Sequence, residues 1–363
     1  MTKKAIFVAA TGQNVGKTTL CLGLLQGLKK RHQSVGFIKP VGQQHVQVNQ
    51  DTLVDKDAAL FKEYFKLNAE YRDMSPIICQ QGFTRDFLDD KIDEDALLTQ
   101  IKKSFTTIKE KNAFVLVEGT GHVGVGSLFN LNNAKVAKSL NLEMIIIATG
   151  GLGSAFDELS LNVEMCRSLN VPIRGIILNK VIDEKKGMIE RYFPKTLKRW
   201  NIPLIGCVPY HDFLSMPSMN DFEILFKTQL LTGIQHRFRH FRDIRLVAGS
   251  MKSFIEESKS GQLIITPACR EDIITATIEQ HLRTKVLNNI DSEFGMILTG
   301  KNPPRPELLH RLESIDIPIL YAPYCSFDVM KKISFTAKIQ KEDTSKIEKA
   351  IDIVERHINF DLI

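Results

Sequence analysis

The stretch Ala10-Thr11-Gly12-Gln13-Asn14-Val15-Gly16-Lys17-Thr18-Thr19 constrains this chain more than any other. It follows an apolar run over residues 5–9 and precedes an amphipathic run over 20–28. That order predicts a strand, a loop and a helix. The ending Gly16-Lys17-Thr18 is that of a phosphate-binding P-loop. In such a loop backbone N–H groups point inward at phosphate oxygens, and the helix behind it adds the positive end of its dipole. Residues Gly12, Gln13, Asn14, Val15 and Gly16 would supply that backbone, with Thr19 continuing the contact into the helix. Lys17 would neutralise the β- and γ-phosphates, and the Thr18 hydroxyl would ligate Mg²⁺. One position departs from the usual Gly-x-x-x-x-Gly-Lys-Ser/Thr pattern. Thr11 stands where the first Gly is usually found.

Around this loop, apolar runs alternate with amphipathic ones. Strands are expected over residues 5–9, 34–38, 113–117, 143–148, 173–178 and 204–208. Helices are expected over 57–65, 96–109, 134–140 and 156–169. Alternation of this kind predicts a parallel sheet covered on both faces, with functional loops beyond the carboxyl ends of its strands. A second α/β series follows, with strands over 244–248, 263–266, 293–298 and 317–321 and helices over 271–282 and 306–314. The expected division is therefore a P-loop NTPase domain over residues 1–225 and a smaller α/β domain over 226–363.

Composition limits the alternatives. At 43% hydrophobic and 25% charged residues, 363 residues can build folded cores, and that length suits two domains or three. No apolar run approaches the ~20 residues that span a bilayer. Met1-Thr2-Lys3-Lys4 leads straight into the first strand, so a cleaved leader would damage it, and a cytoplasmic chain is expected. The six cysteines, Cys21, Cys79, Cys166, Cys207, Cys269 and Cys325, have no metal-ligand spacing and are expected to be reduced. The net charge of +6 admits anionic ligands. The basic segment His236-Arg237-Phe238-Arg239-His240-Phe241-Arg242 has aromatic interleaving that would suit RNA. The preferred reading is a solvated linker strand, so neither nucleic acid nor membrane is an expected partner.

Phosphoryl chemistry on Mg²⁺ needs carboxylates near the P-loop. Glu118, directly after the strand Phe114-Val115-Leu116-Val117, is one candidate, because an acid at the end of a buried strand is costly unless it meets a cation. Asp57, at the start of an amphipathic run, is the other. Asp57 could instead cap that helix, or Asp55 could serve as the cap and leave Asp57 free. After Glu118, Gly119, Gly121 and Gly124 match Gly-x-Gly-x-x-Gly. No helix begins directly behind them, so a flexible loop over the γ-phosphate or a co-substrate is expected rather than a dinucleotide fingerprint. The loop Thr149-Gly150-Gly151-Leu152-Gly153-Ser154 either faces the same cleft or is a simple turn. Lys39, before Pro40 at a strand's carboxyl end, suits a carboxylate or a transferring phosphoryl group. Asn179, followed by Lys180, lies where its amide would meet an adenine edge.

Taken together, these residues resemble the dethiobiotin synthetase-like branch of P-loop proteins. The resemblance rests on Thr11 in the first Gly position, Lys39-Pro40-Val41, Asp57 opening a helix, and Val117-Glu118-Gly119, and it spans roughly residues 4 to 225. It implies that Thr18, Asp57 and Glu118 hold Mg²⁺ and that Lys17 and Lys39 face the reacting phosphate and carboxylate. Asn179 would contact adenine, with Pro209 beside it. Where the synthetases carry acidic residues inside the loop, this chain has Gly12 and Asn14, and Gly42-Gln43-Gln44 follows Lys39-Pro40-Val41. These positions set the surroundings of the amine substrate.

The second series resembles the DRTGG domain that long phosphate acetyltransferases carry behind such a P-loop domain. Residues 263–272 match its first signature, with Ala268-Cys269 in place of Gly-Asp. Residues 295–301 match the second, with Lys301 in place of Gly. The acetyltransferase catalytic domain is expected to be absent. The resemblance implies a homodimer with ATP and Mg²⁺ as cofactors. The expected function is ATPase or carboxylate-activating ligase chemistry on an unidentified small molecule, coupled to a ligand-sensing C-terminal domain. The alternative is a non-catalytic nucleotide-sensing module. An amidotransferase would need a nucleophilic Cys in a Gly-x-Cys-x-Gly elbow, and neither Cys269 nor Cys325 has that setting.

Overall fold

A computed structural model describes residues 4–49, 52–289, 291–312, 315–333 and 339–363. The chain forms two units, Met1–His211 joined by Ile339–Ile363, and Asp212–Lys338. Met1 to Lys3 lie outside the described residues.

The first unit is built on six parallel strands. They are β1 (Lys4–Ala10), β2 (Val35–Ile38), β3 (Phe114–His122), β4 (Met144–Thr149), β5 (Ile173–Val181) and β6 (Leu204–Pro209). Their order across the sheet is β6-β5-β4-β1-β3-β2. Phe7 through Ala10 are all but inaccessible to solvent, as a strand covered on both faces requires, and this is why the sequence reads there as an unbroken apolar run. In register Val8 stands beside Glu118, and Ala10 beside both His122 and Ile147. The P-loop therefore leaves β1 between the ends of β3 and β4, where strand order reverses and ligands bind in sheets of this class. The covering helices are α1 (Lys17–Lys29), α2 (Lys56–Phe65), α3 (Glu94–Lys111), α4 (Asn133–Ser139), α5 (Gly153–Ser168) and α6 (Asp183–Leu197). Some features escape the sequence pattern, two of them sizeable. One is an antiparallel ribbon of His45–Asn49 with Thr52–Asp55. The other is α6, whose period is interrupted by Gly187 and Pro194.

The second unit carries α7 (Met219–Phe226), β7 (Leu230–Thr232), β8 (Asp243–Leu246), α8 (Met251–Glu257), β9 (Gln262–Pro267), α9 (Glu271–Asn288), β10 (Gly295–Thr299), α10 (Pro306–Leu312), β11 (Ile319–Ala322) and α11 (Ser326–Ile333). Its sheet order is β7-β11-β10-β9-β8, with only β7 antiparallel. Alternation along β9 and β10 divides two cores. Ile264, Met296 and Leu298 pack with Phe254, Ile273 and Leu312, while Leu263, Ile265 and Ile297 pack with Phe222, Phe241 and Val329. The expected helix over 306–314 is seen as α10, with residues 313 and 314 outside the described residues.

The division differs from the expected 1–225 and 226–363. The first unit ends at His211, because Met219, Phe222 and Phe226 of α7 join the core of the second sheet. More consequentially, the last segment returns to the first unit as α12 (Thr344–His357). Helix α1 is apolar on every side, with Leu20, Leu22, Leu24, Leu25 and Leu28 buried, so it needs cover on its outer face as well. Its Gly23 and Gly27 form the groove. A Cβ at Gly23 would lie 2.3 Å from Val354, and one at Gly27 would lie 2.0 Å from the Phe360 ring. Beyond α12, Asn359 donates its N–H to the Ile205 carbonyl at the free edge of β6, and the Arg31 guanidinium covers the Phe360 ring at 4.2 Å. The DRTGG-like series is thus an insertion in the P-loop unit.

The basic segment is not a solvated strand. Arg237 pairs with Glu223 at 2.7 Å, Arg239 pairs with Asp291, and Phe241 is fully buried against Gly295. Its cations serve the fold of the second unit.

Candidate nucleotide site

Backbone conformation shapes the P-loop. Asn14 (φ +58°) and Gly16 (φ +95°) are both left-handed, and Gly16 caps α1 without a side-chain bond. No acidic residue lies in the first turn of α1, so its N–H groups and dipole are open to an anion. Val15 is buried as an anchor, while Gln13 and Asn14 are exposed. Two consecutive residues from the end of β5 hold the loop from below. Asn179 Nδ2 donates to the Val15 carbonyl and Lys180 Nζ to the Asn14 carbonyl, each at 2.7 Å. These bonds draw loop carbonyls away from the phosphate side. The Asn179 amide donor expected for a base edge is therefore engaged with the loop, and Pro209 closes β6 next along the sheet.

Thr11 is buried, and its N–H donates to the Ile147 carbonyl at 2.8 Å. Its hydroxyl reaches Glu158 of α5 at 3.5 Å, and Asn162 of the same helix reaches its carbonyl at 3.5 Å. The glycine turn 149–153 thus feeds a helix that braces the P-loop.

The chemistry converges on Glu118, which has no solvent exposure. Its Oε1 accepts from the Thr18 hydroxyl and the Lys39 ammonium, both at 3.4 Å, whereas Oε2 is buried with no partner. Lys39 is brought in from the end of β2 by its N–H bond to the Met74 carbonyl. Its ammonium pairs closely with Asp57 and also lies 3.4 Å from Asp55. Of the two possible caps it is Asp55 that accepts the Asp57 N–H, at 2.9 Å, and caps α2. Asp57 is thereby released from capping, yet it is engaged by Lys39. Lys17 reaches the Gly121 carbonyl at 3.4 Å.

Burial sets the charge states. It pushes Glu118 up to about 7, with the nearby Lys39 acting in the opposite direction. Burial alone would lower Lys39, but Asp57, Glu118 and Asp55 together raise it well above the usual lysine value. Burial also lowers Lys17. For Asp57, burial is overridden by the Lys39 ammonium, and the net shift is downward. Folded Glu118 holds its proton to about 7 against 4.5 ordinarily, so between those values the unfolded chain binds fewer protons. Stability from this group falls as pH rises through that window. In chelator, Glu118→Gln is expected to gain about 3 kcal/mol relative to wild type as urea unfolding moves from pH 5 to pH 8. A pH-independent difference would show an ordinary carboxylate.

The segment after Glu118 is hydrogen-bonded to side chains of two helices. β3 continues to His122, and Asn133 of α4 clamps it. Its amide donates to the Thr120 and His122 carbonyls at 2.8 and 2.7 Å and accepts the Thr120 N–H at 3.0 Å. Asn162 accepts the Val123 N–H at 2.9 Å. Sequence reasoning missed Asn133, Asn162 and Glu158. Their only signal is polarity on otherwise apolar helix faces.

Among the described residues, no group of three or more His, Cys, Asp or Glu side chains has the arrangement of a metal centre. The fit of Mg²⁺ rests instead on a hydroxyl and two carboxylates, Thr18, Asp57 and Glu118, and on the unpartnered Glu118 Oε2, which a cation or its water would satisfy.

A family profile described as an AAA domain matches residues 4–218, well over half the chain. The chain belongs to that family, in its dethiobiotin synthetase-like branch. A second profile, the DRTGG domain, matches residues 225–336. The phosphate acetyltransferase of Pseudomonas aeruginosa is 26% identical over 98% of this chain and 51% of its own length. That of Nitrosomonas europaea is 25% identical over the same shares. The chain thus spans about half the length of these curated relatives. The ATP-dependent dethiobiotin synthetase BioD of Clostridium kluyveri is 28% identical over 52% of this chain and 81% of that protein. The MinD cell division protein of Aquifex aeolicus is 15% identical with a TM-score of 0.36, covering 57% of this chain and 83% of that one. The P-loop NTPase fold of this AAA domain supports nucleotide binding. No helix among the described residues is long and apolar enough to cross a membrane.

Proposed function

We propose that the protein binds ATP with Mg²⁺ at the P-loop and transfers its terminal phosphoryl group, either to water as an ATPase or to a small carboxylate or carbamate held near Lys39 as a ligase-type enzyme. The observation that carries this reading is the meeting of Thr18 and Lys39 at one Glu118 oxygen, with Asp57 paired to the same Lys39, beside a P-loop whose helix N-terminus is open. Loop N–H groups and Lys17 would hold the phosphates, while Asn179 and Pro209 would flank the base. Thr18, Asp57 and Glu118 would hold Mg²⁺, which supplies neutralisation of phosphate charge. Lys39 would orient the accepting oxygen, and the clamped 119–123 backbone would wall the cleft against water. The second unit would sense a further ligand. A cytoplasmic homodimer is the expected state, and a monomer mass in sedimentation would refute the dimer.

Lys17→Ala is expected to lower ATP turnover by roughly 100-fold or more, on the scale of losing one preorganised charge-stabilising donor. Unchanged ATP binding and hydrolysis in that variant would refute the reading. A second reading is a nucleotide-sensing regulatory module, favoured by the match of both units together to the first half of the phosphate acetyltransferases. It predicts ATP binding with no acceleration of turnover by any small carboxylate. Fast turnover with one would exclude it.

A further inference from the structure

We infer that the Lys39 ammonium is the built-in counter-cation of the proposed metal position, and that it makes divalent-cation loading conditional on nucleotide. The inference rests on the metal site proposed above. Lys39 is 6% exposed and lies among Asp55, Asp57 and Glu118. Two of those carboxylates are the ones assigned to the metal, and the Glu118 oxygen nearest the ammonium is the same atom that the Thr18 hydroxyl touches. A dication entering here would meet an ammonium already bound to its ligands, in surroundings where like charges repel far more strongly than in water.

The site is nevertheless not filled by Lys39. Glu118 Oε2 remains buried without a partner, so the ammonium satisfies only part of the cradle. Asp55 explains how both cations are accommodated in turn. Its Oδ1 is committed to the Asp57 N–H and the α2 cap, so it stays with the protein scaffold. It offers Lys39 a carboxylate outside the metal set. The four-carbon lysine stem can swing while the backbone stays fixed by its bond to the Met74 carbonyl. The phosphates of a nucleotide bring the negative charge that lets ammonium and dication coexist. Metal alone would find its position taken, whereas metal with nucleotide would displace Lys39 toward Asp55 and the phosphates.

The test is Mn²⁺ binding read by electron paramagnetic resonance, on wild type and Lys39→Met, with and without a non-hydrolysable ATP analogue. Wild type is expected to take up Mn²⁺ only with the analogue. Lys39→Met is expected to bind Mn²⁺ alone, at least about tenfold tighter than wild type does. If wild type loads Mn²⁺ with the analogue but Lys39→Met shows no gain without it, this inference alone is overturned. If wild type takes up no Mn²⁺ even with the analogue, the metal site itself fails and this inference with it. Should Lys39→Met be unfolded in chelator, recovery of its far-ultraviolet signal on adding Mn²⁺ supports the same competition, and no recovery overturns it.

Discussion

Removing residues 339–363 is expected to unfold the P-loop unit. Ile347, Ala350 and Val354 are fully buried, and Ile351, Ile358 and Phe360 nearly so. Large apolar side chains contribute about 1.5–3 kcal/mol each when buried. Four of them together approach the 5–15 kcal/mol that holds a typical domain. The loss is compounded because α1 would expose its outer face and the β6 edge would lose its bond from Asn359. Phe360→Ala alone is expected to cost about 3–5 kcal/mol. Denaturant melts followed by circular dichroism would decide. A truncated protein with an unchanged midpoint would show that α12 is peripheral. The Gly27 groove provides an independent check, since Gly27→Leu has no room beside the Phe360 ring and should destabilise despite leucine's better helix propensity.

The second large effect is expected at Gly16. A Cβ there would lie 2.3 Å from Asn179 Nδ2, and the residue sits at φ +95°. Left-handed strain costs a non-glycine residue about 1–3 kcal/mol. Relief would require Asn179 to release the Val15 carbonyl, which would then turn toward the phosphates. Gly16→Ala is therefore expected to weaken nucleotide binding by roughly 10- to 100-fold or more, with little change in the melting of the second unit. Isothermal titration with ATP measures this. The double variant Gly16→Ala/Asn179→Ala separates the causes. It removes the obstructing amide but leaves the backbone strain, so full recovery of binding would show that conformation at Gly16 is unimportant.

Much of the site was legible because it is local. Lys17 and Thr18 follow a strand–loop–helix order that any buried β1 must produce, and Glu118 is marked by its position at the end of a fully apolar strand. Whether Asp55 or Asp57 caps α2 stayed open in the sequence and was decided by the Asp57 N–H bond to Asp55. The engagement of Asn179 with the loop was not legible, because its bond to Val15 joins residues far apart in the chain. Nor was the clamp of Asn133 on β3, where a glycine-rich sequence reads as mobile until a side chain from another helix fixes its carbonyls.

The P-loop with which the chain begins its first helix was set by sequence alone, in its residue types, order and glycine positions, because each answers to a conformation within a few residues. The strand series did the same for the class of fold, since period and alternation report local burial. Tertiary structure decided the rest. It returned α12 to α1 across an inserted unit and placed Lys39 among three carboxylates. Both depend on groups distant in sequence meeting in a buried space, where packing volume and the cost of unpaired charge select the partner.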